Sequence, residues 1–207
     1  MKRSLKPLLV IFLTFVFGII HSQIKPGYIF GVNFSTVSLN AKGIISSPET
    51  PVSFHFGGVC EIPVIGNLTF DPAILLSAKG SNYKIDTVEF SLSPIYIEIP
   101  VIMMYSFGTD NIKISLFAGP YFACGVGGYK IGRGGELQNI NYGSGANDDL
   151  KTLDFGLNFG AGVNIKGLLI SAQYGIGLAN IAPESTFDSE MKNKVIGISI
   201  SSLFAGK

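Results

Sequence analysis

From Leu153 to Leu178 the chain alternates apolar residues with small or polar ones, folded about Lys166-Gly167. Leu153, Phe155, Leu157, Phe159, Ala161, Val163 and Ile165 hold the odd positions, with Asp154, Gly156, Asn158, Gly160, Gly162 and Asn164 between them. Past the turn the parity flips: Leu168, Ile170, Ala172, Tyr174 and Ile176 are even, separated by Ser171, Gln173, Gly175 and Gly177. A two-residue hairpin loop requires this flip, because opposite residues share a face and successive residues do not. The predicted register sets Ile165 against Leu168, Val163 against Ile170, Ala161 against Ala172 and Phe159 against Tyr174. Gly167 supplies the positive φ that such a turn needs.

The same alternation recurs around Tyr28–Phe34, Val52–Ile62, Leu68–Leu76, Ile95–Met103, Ile112–Cys124 and Ile196–Phe204. With the hairpin this predicts eight strands of about ten residues. Their connections also alternate. Val64–Asn67, Ser106–Asn111 and Lys166-Gly167 are short, whereas Asn40–Pro51, Gly80–Ser91, Gly125–Thr152 and Ala179–Lys194 are long. Short turns at one end and long loops at the other are the outer-membrane pattern, and an even strand number returns both termini to the turn end. Pro63, Pro72, Pro94, Pro100 and Pro120 fall in or beside these strands, where they predict strand ends or bulges. With no Trp in the chain, an aromatic girdle must draw on Tyr28, Tyr105, Tyr174 and Phe204.

Composition decides what the two faces meet. Charged residues are 14% and hydrophobic residues 47% of the 207, against about 25% charged in an average soluble domain. The non-apolar face is Gly, Asn, Ser and Gln, which suits the inside of a narrow barrel better than a water-exposed surface. Past residue 23 no apolar run approaches the ~20 residues of a membrane helix, and closed barrels are the other structure that crosses a bilayer. The predicted fold is therefore all-β: an eight-stranded antiparallel transmembrane β-barrel over residues 23–207. Residues 1–22 read as a cleaved signal peptide, with Lys2, Arg3 and Lys6 before the apolar Leu8–Ile20 and a small residue at Ser22. The net charge of +1 gives no case for nucleic acid. Cys60 and Cys124 share parity with apolar neighbours and read as two small apolar residues rather than a disulfide.

Several segments together resemble the PorT-like outer-membrane β-barrel family of Bacteroidetes. They are Gly31-Val32-Asn33-Phe34-Ser35, Tyr96-Ile97-Glu98-Ile99-Pro100, Phe117-Ala118-Gly119-Pro120-Tyr121, Asp154-Phe155-Gly156 with Gly160-Ala161-Gly162, and Tyr174 to Ile181. The resemblance implies a barrel placed by the insertion machinery in outer-membrane lipid. It further implies a structural or interaction role among envelope proteins, one branch being linked to protein secretion. Two departures stand out. Ala73-Ile74 follows Asp71-Pro72 where such proteins often carry Glu-Leu, and Ala205-Gly206-Lys207 follows Phe204, where an assembly signal usually ends.

Candidate chemistry lies on the inward face. Parity places His55, Glu61, Asp71, Lys79, Glu98, Lys113 and Asp154 in the lumen. Charges there are costly unless they pair, which predicts an interior polar network that plugs the barrel. The alternative is a narrow ion or small-solute path. A lipid-modifying hydrolase is a weaker reading, because His55 is the one histidine past the leader and Ser53 its nearest serine on that face. Asn147-Asp148-Asp149, in the long loop 125–152, lacks the ordered spacing of a calcium loop. That loop reads as a surface segment that touches a partner or the medium. No glycine cluster matches a phosphate-binding motif, and no cofactor is expected.

Overall fold

The structure, a computed structural model, describes residues 24–40, 50–85, 88–109, 111–132, 135–145, 147–183 and 190–204. The proposed leader and its cleavage point at Gln23 lie outside them. Ten strands form: β1 (Lys25–Asn40), β2 (Val52–Ile65), β3 (Leu68–Ala78), β4 (Ser81–Ile85), β5 (Val88–Gly108), β6 (Ile112–Ile131), β7 (Leu137–Asn139), β8 (Leu153–Ile165), β9 (Leu168–Gly177) and β10 (Glu190–Leu203). Eight of them close a ring in the order β1-β2-β3-β5-β6-β8-β9-β10, with β10 antiparallel to β1. This is the predicted barrel. Closure leaves no edge in the ring, so every wall strand finds a backbone partner on both sides, as a bilayer requires. No helix among the described residues is long and apolar enough to cross a membrane.

The hairpin register is the one the alternation predicts, from Ile165↔Leu168 through Phe159↔Tyr174. Its turn takes positive φ at Lys166 (51°) as well as Gly167 (92°), the pairing of a type I′ hairpin turn. Asn33, Ser35, Ser77, Ser115, Asn158 and Ser199 are buried on the inward positions, while Phe30, Phe56, Ile97, Leu157, Ile198 and their like are exposed on the outer wall. Cys60 and Cys124 are free and stand on β2 and β6, which are not neighbours.

Two predicted loops form strands of their own, and a third, Ala179–Lys194, ends in the first residues of β10. Gly80–Ser91 contains β4, which pairs with the end of β5 (Ser81↔Leu92 to Ile85↔Val88). Gly125–Thr152 begins as the continuation of β6 and then forms β7, paired Tyr129↔Asn139 to Ile131↔Leu137. β5 and β6, at 21 and 20 residues, are about twice as long as a tilted membrane-spanning strand needs to be. The surplus projects at the loop end as the four-stranded sheet β4-β5-β6-β7.

All five prolines lie within strands rather than at their ends, and the ladders lapse beside them. The β2–β3 ladder shifts between Pro63 and Ile65, and the β5–β6 ladder shifts between Ile95 and Tyr96, next to Pro94. The β3–β5 ladder passes from Pro72↔Val101 to Leu75↔Glu98, and the β5–β6 ladder from Pro100↔Tyr121 to Met103↔Ala118. A residue without an N–H leaves a gap of this kind. The aromatic girdle is also narrower than predicted. Tyr28 packs on Phe204 (5.9 Å) and Tyr105 on Phe107 (6.4 Å) at the turn end, but Tyr174 pairs with Phe159 in mid-wall.

Candidate functional site

The lumen holds three stacked layers. Nearest the loops is an apolar cap. Val37, Ile140, Leu150, Ala179 and Ile181 are buried together, with Leu92, Tyr142 and Met191 packed against them. Backbone bonds tie the segments: Lys151 N–H donates to Ile181 C=O (2.9 Å), Ile181 to Met191 (2.9 Å) and Ile140 to Gly128 (3.1 Å). Tyr142 reaches down to Tyr96 (ring centroids 6.2 Å) and donates its hydroxyl to Gly127 C=O at 2.8 Å. The long loop therefore folds over the barrel mouth in its described part, where the sequence predicts a loop facing outward. Its two aspartates are engaged in holding that fold. Asp149 pairs with Lys130 and accepts Asn141 N–H (2.9 Å), and Asp148 accepts Gly145 N–H (2.6 Å). No cluster of metal-ligating side chains is found among the described residues.

Below the cap lies the polar layer. Lys79, just past the end of β3, pairs with Glu98 of β5 at 2.9 Å and with Asp154 of β8 at 3.2 Å. Asp154 also accepts from Tyr121 (3.2 Å) and from Asn193 of β10 (2.9 Å). The ammonium sits 4.5 Å from the Tyr121 ring centre and 5.0 Å from that of Tyr96. All of these side chains are buried. Lys79 gains two carboxylates and two aromatic faces in exchange for its hydration, which is what a buried ion pair needs to persist.

Beside this group, a second chain of bonds fixes its own protons. Asn33 Nδ2 donates to Ala78 C=O (3.0 Å), which can only accept, so Asn33 Oδ1 must face His55 Nδ1 at 2.8 Å. His55 therefore carries its proton on Nδ1, leaving Nε2 to accept from Ser199 Oγ at 2.8 Å. The order Ser199–His55–Asn33 has the proton placement of a nucleophile with its base. It lacks access: Ser199 is buried and lines neither the void beside Lys79 nor the cavity toward the turns. A void of about 10 Å³ lies in the polar layer, lined by Asn33, His55, Lys79, Glu98 and Tyr121 among others, room for roughly one water.

The third layer, toward the turns, departs from the predicted small and polar lining. Ile29, Val59, Ala73, Leu75, Ile102 and Met104 point inward around a cavity of about 100 Å³. Asp71 lines it, buried, and Glu61 stands at its mouth in an ion pair with Lys25 (2.9 Å). Below lies an open basin of about 660 Å³ at the turn end, which includes Lys113 and Lys166. Of the seven predicted lumenal residues, then, Lys79, Glu98 and Asp154 meet directly and His55 lies beside them. Asp71 stands alone lower down, while Glu61 and Lys113 belong to the turn-end rim. Sequence reasoning did not single out Tyr96, Tyr121, Asn193, Asn33 and Ser199. The signal for the tyrosines was present: two large rings on a face otherwise made of small residues.

A closed ring of eight strands, apolar outside and plugged by ion pairs inside, defines a transmembrane β-barrel of the outer-membrane type. The chain belongs to the outer membrane protein beta-barrel domain family, whose profile matches residues 22–182. No curated protein matches it in sequence. Among solved structures it is similar to Ail, the attachment invasion locus protein of Yersinia pestis, solved with the heparin analogue sucrose octasulfate. There the identity is 11% over 86% of this chain and 98% of that one, with a TM-score of 0.42. It is also similar to neisserial surface protein A, at 12% identity over 86% and 97% with a TM-score of 0.44. A third similar structure is the N-terminal β-barrel domain of OprF from Pseudomonas aeruginosa, at 12% over 85% and 96% with a TM-score of 0.34.

Proposed function

We propose that the protein is a closed, non-enzymatic barrel of the outer membrane with a structural or interaction role, exported by its leader and placed by the barrel insertion machinery. The observation that carries this reading is the Lys79 layer, which spans the lumen from β3 to β8 and leaves room for one water. A solute path needs a continuous wet lumen, and a side-chain plug with paired charges removes it. What remains for function is the two ends: the folded cap with the β4-β5-β6-β7 sheet outside, and the turn-end rim inside. Docking of other envelope proteins is the role these ends suit. The link to protein secretion rests on the resemblance to PorT-like proteins.

The test is single-barrel conductance in planar bilayers. The wild-type protein is expected to pass no resolved current. A stable open level would replace this reading with that of a small-solute channel. Photo-crosslinking from exposed Leu137 on β7 then asks for a protein adduct that a lipid-facing position such as Ile198 does not give. A fluorophosphonate is expected to leave the barrel unlabelled. Labelling at Ser199 that His55→Ala abolishes would establish acyl-transfer chemistry instead.

A further inference from the structure

The lower lumen holds a buried carboxylate with no cation beside it, whereas the two carboxylates of the upper lumen share a lysine. Above, Glu98 and Asp154 share Lys79, and Asp154 Oδ2 takes further donors from Tyr121 and Asn193, although Asp154 Oδ1 has no partner. Below, Asp71 is equally buried, yet among the described residues no cation lies within ion-pair distance of it. Its Oδ1 and the neighbouring Thr69 hydroxyl both lack a hydrogen-bond partner. Lys25, at the turn-end rim, is taken by Glu61. The walls around Asp71 are mostly apolar, with Ile29, Val59, Ala73, Leu75, Ile102 and Met104, and carry neutral polar groups such as Ser115, Ser171, Gln173 and Ser201. A barrel that compensates its other buried charges from within leaves this one for compensation from outside.

The space allows it. The cavity of about 100 Å³ would hold several waters or one small aromatic ring. It shares Glu61, Ser106, Asn164, Gly167 and Leu203 with the basin at the turn end, so the two are continuous. Passage upward is stopped by the polar layer. This is a blind pocket entered from one side, with a mostly apolar body and, in Asp71, a carboxylate that no described cation pairs, the common anatomy of a small-molecule site.

We propose that this pocket binds a small primary amine with an apolar body, its ammonium group on Asp71 and its body against Ile29, Leu75, Ile102 and Met104. A carboxylate in an apolar pocket favours a cation over a neutral isostere by about one charged hydrogen bond. It rejects an anion of the same shape. The site goes beyond the interaction role proposed above, because the lumen stays closed whether the pocket is filled or empty.

The experiment follows the methyl resonances of Ile29, Ile102 and Met104 in the full barrel in lipid nanodiscs, titrated with benzylamine, benzyl alcohol and benzoate. The expected result is a saturable shift with benzylamine, at least about tenfold weaker binding of benzyl alcohol, and none for benzoate. Outward methyls such as those of Ile198 and Ile200 report partition into lipid and are expected to move alike for the amine and the alcohol. Asp71→Asn is expected to abolish the preference for the amine. Ile102→Phe, which keeps Asp71 and fills the pocket, is expected to block every ligand. Heat-modifiable gel mobility shows that each variant is a folded barrel. Absence of a saturable lumenal shift, or equal affinity for amine and alcohol, would overturn the proposal. So would a preference for the amine that survives in Asp71→Asn. Conductance is unaffected by any of these outcomes, so failure here leaves the closed-barrel reading standing.

Discussion

The two halves of this lumen treat buried charge in opposite ways. In the loop half, Lys79, Glu98 and Asp154 meet within 3.2 Å and are wrapped by two tyrosines and an asparagine. In the turn half, Asp71 faces a mostly apolar cavity with no described cation beside it. One arrangement is a plug, whose members hold strands β3, β5, β8 and β10 together across the barrel. The other is a pocket, whose single charge binds no neighbouring strand. The same residue type therefore does different work according to height in the barrel. Mutations that remove charges at the two heights are predicted to differ in size and even in sign.

The largest effect is expected at Lys79. Lys79→Met leaves Glu98 and Asp154 facing each other without a cation. Breaking a buried pair in this way costs roughly 3–5 kcal/mol. Urea unfolding of the lipid-reconstituted barrel, followed by heat-modifiable mobility, should show the loss. Adding Glu98→Gln and Asp154→Asn on the same background should restore most of it, because the penalty lies in the orphaned carboxylates. If the single variant is as stable as wild type, the layer is not the strut described here.

A smaller and more local effect is expected in the cap. Leu150→Ala removes a fully buried side chain, a change that costs about 2–4 kcal/mol in a packed core. Ile140, Leu150 and Ile181 lie in segments outside the wall ladders, and only Val37, Leu92 and Met191 reach the cap from strands β1, β5 and β10, so the loss should appear as faster amide exchange at Ile140, Ile181 and Lys151. Wall amides of β8 and β9 should keep their protection. Spread of the loss into the wall would make cap and barrel one cooperative unit.

Next comes the His55 chain. A Cβ added at Gly31 would run into the His55 ring and the Ile198 carbonyl, whereas one at Gly127 meets open space. Gly31→Ala should cost about 1–3 kcal/mol by overpacking and displace the ring from Ser199. Gly127→Ala should be neutral. The imidazole proton resonance, fixed on Nδ1 in the wild type, reports which of the two moved it.

These outcomes also bear on what could be read from the chain. The β8–β9 hairpin was legible to the residue, because strict alternation admits one register and Lys166-Gly167 fits one turn. The inward parity of His55, Lys79, Glu98 and Asp154 was legible for the same reason. Which of them meet was not. Contact across a barrel depends on height, set by the stagger of strands on opposite walls, and no single strand encodes it. Asn193 stayed in a predicted loop because β10 begins at Glu190, where apolar alternation has not yet started. β4 and β7 were missed likewise: outside the bilayer a strand need not present lipid with large apolar residues. In the turn half, both faces are apolar in Ile74-Leu75-Leu76 and Val101-Ile102-Met103-Met104. Alternation gives no warning there that the lumen itself turns hydrophobic.

The smallest effect is the most discriminating between the two halves. Asp71→Leu replaces a carboxylate that lacks a cation with an apolar side chain of similar bulk in an apolar cavity. Nothing is orphaned by the change, since no described lysine depends on Asp71. The expected result is stability within about 1 kcal/mol of wild type, or a gain, because an unpaired polar group has been removed from an apolar site. Asp154→Leu makes the same chemical change one layer up. It strands Tyr121 and Asn193 and leaves Lys79 with one carboxylate, so it should destabilise by at least about 2 kcal/mol. Unfolding midpoints of the two variants in the same lipid measure the contrast directly. Equal losses would mean that Asp71 is tied into the wall as firmly as Asp154, and the division of the lumen into plug and pocket would fail.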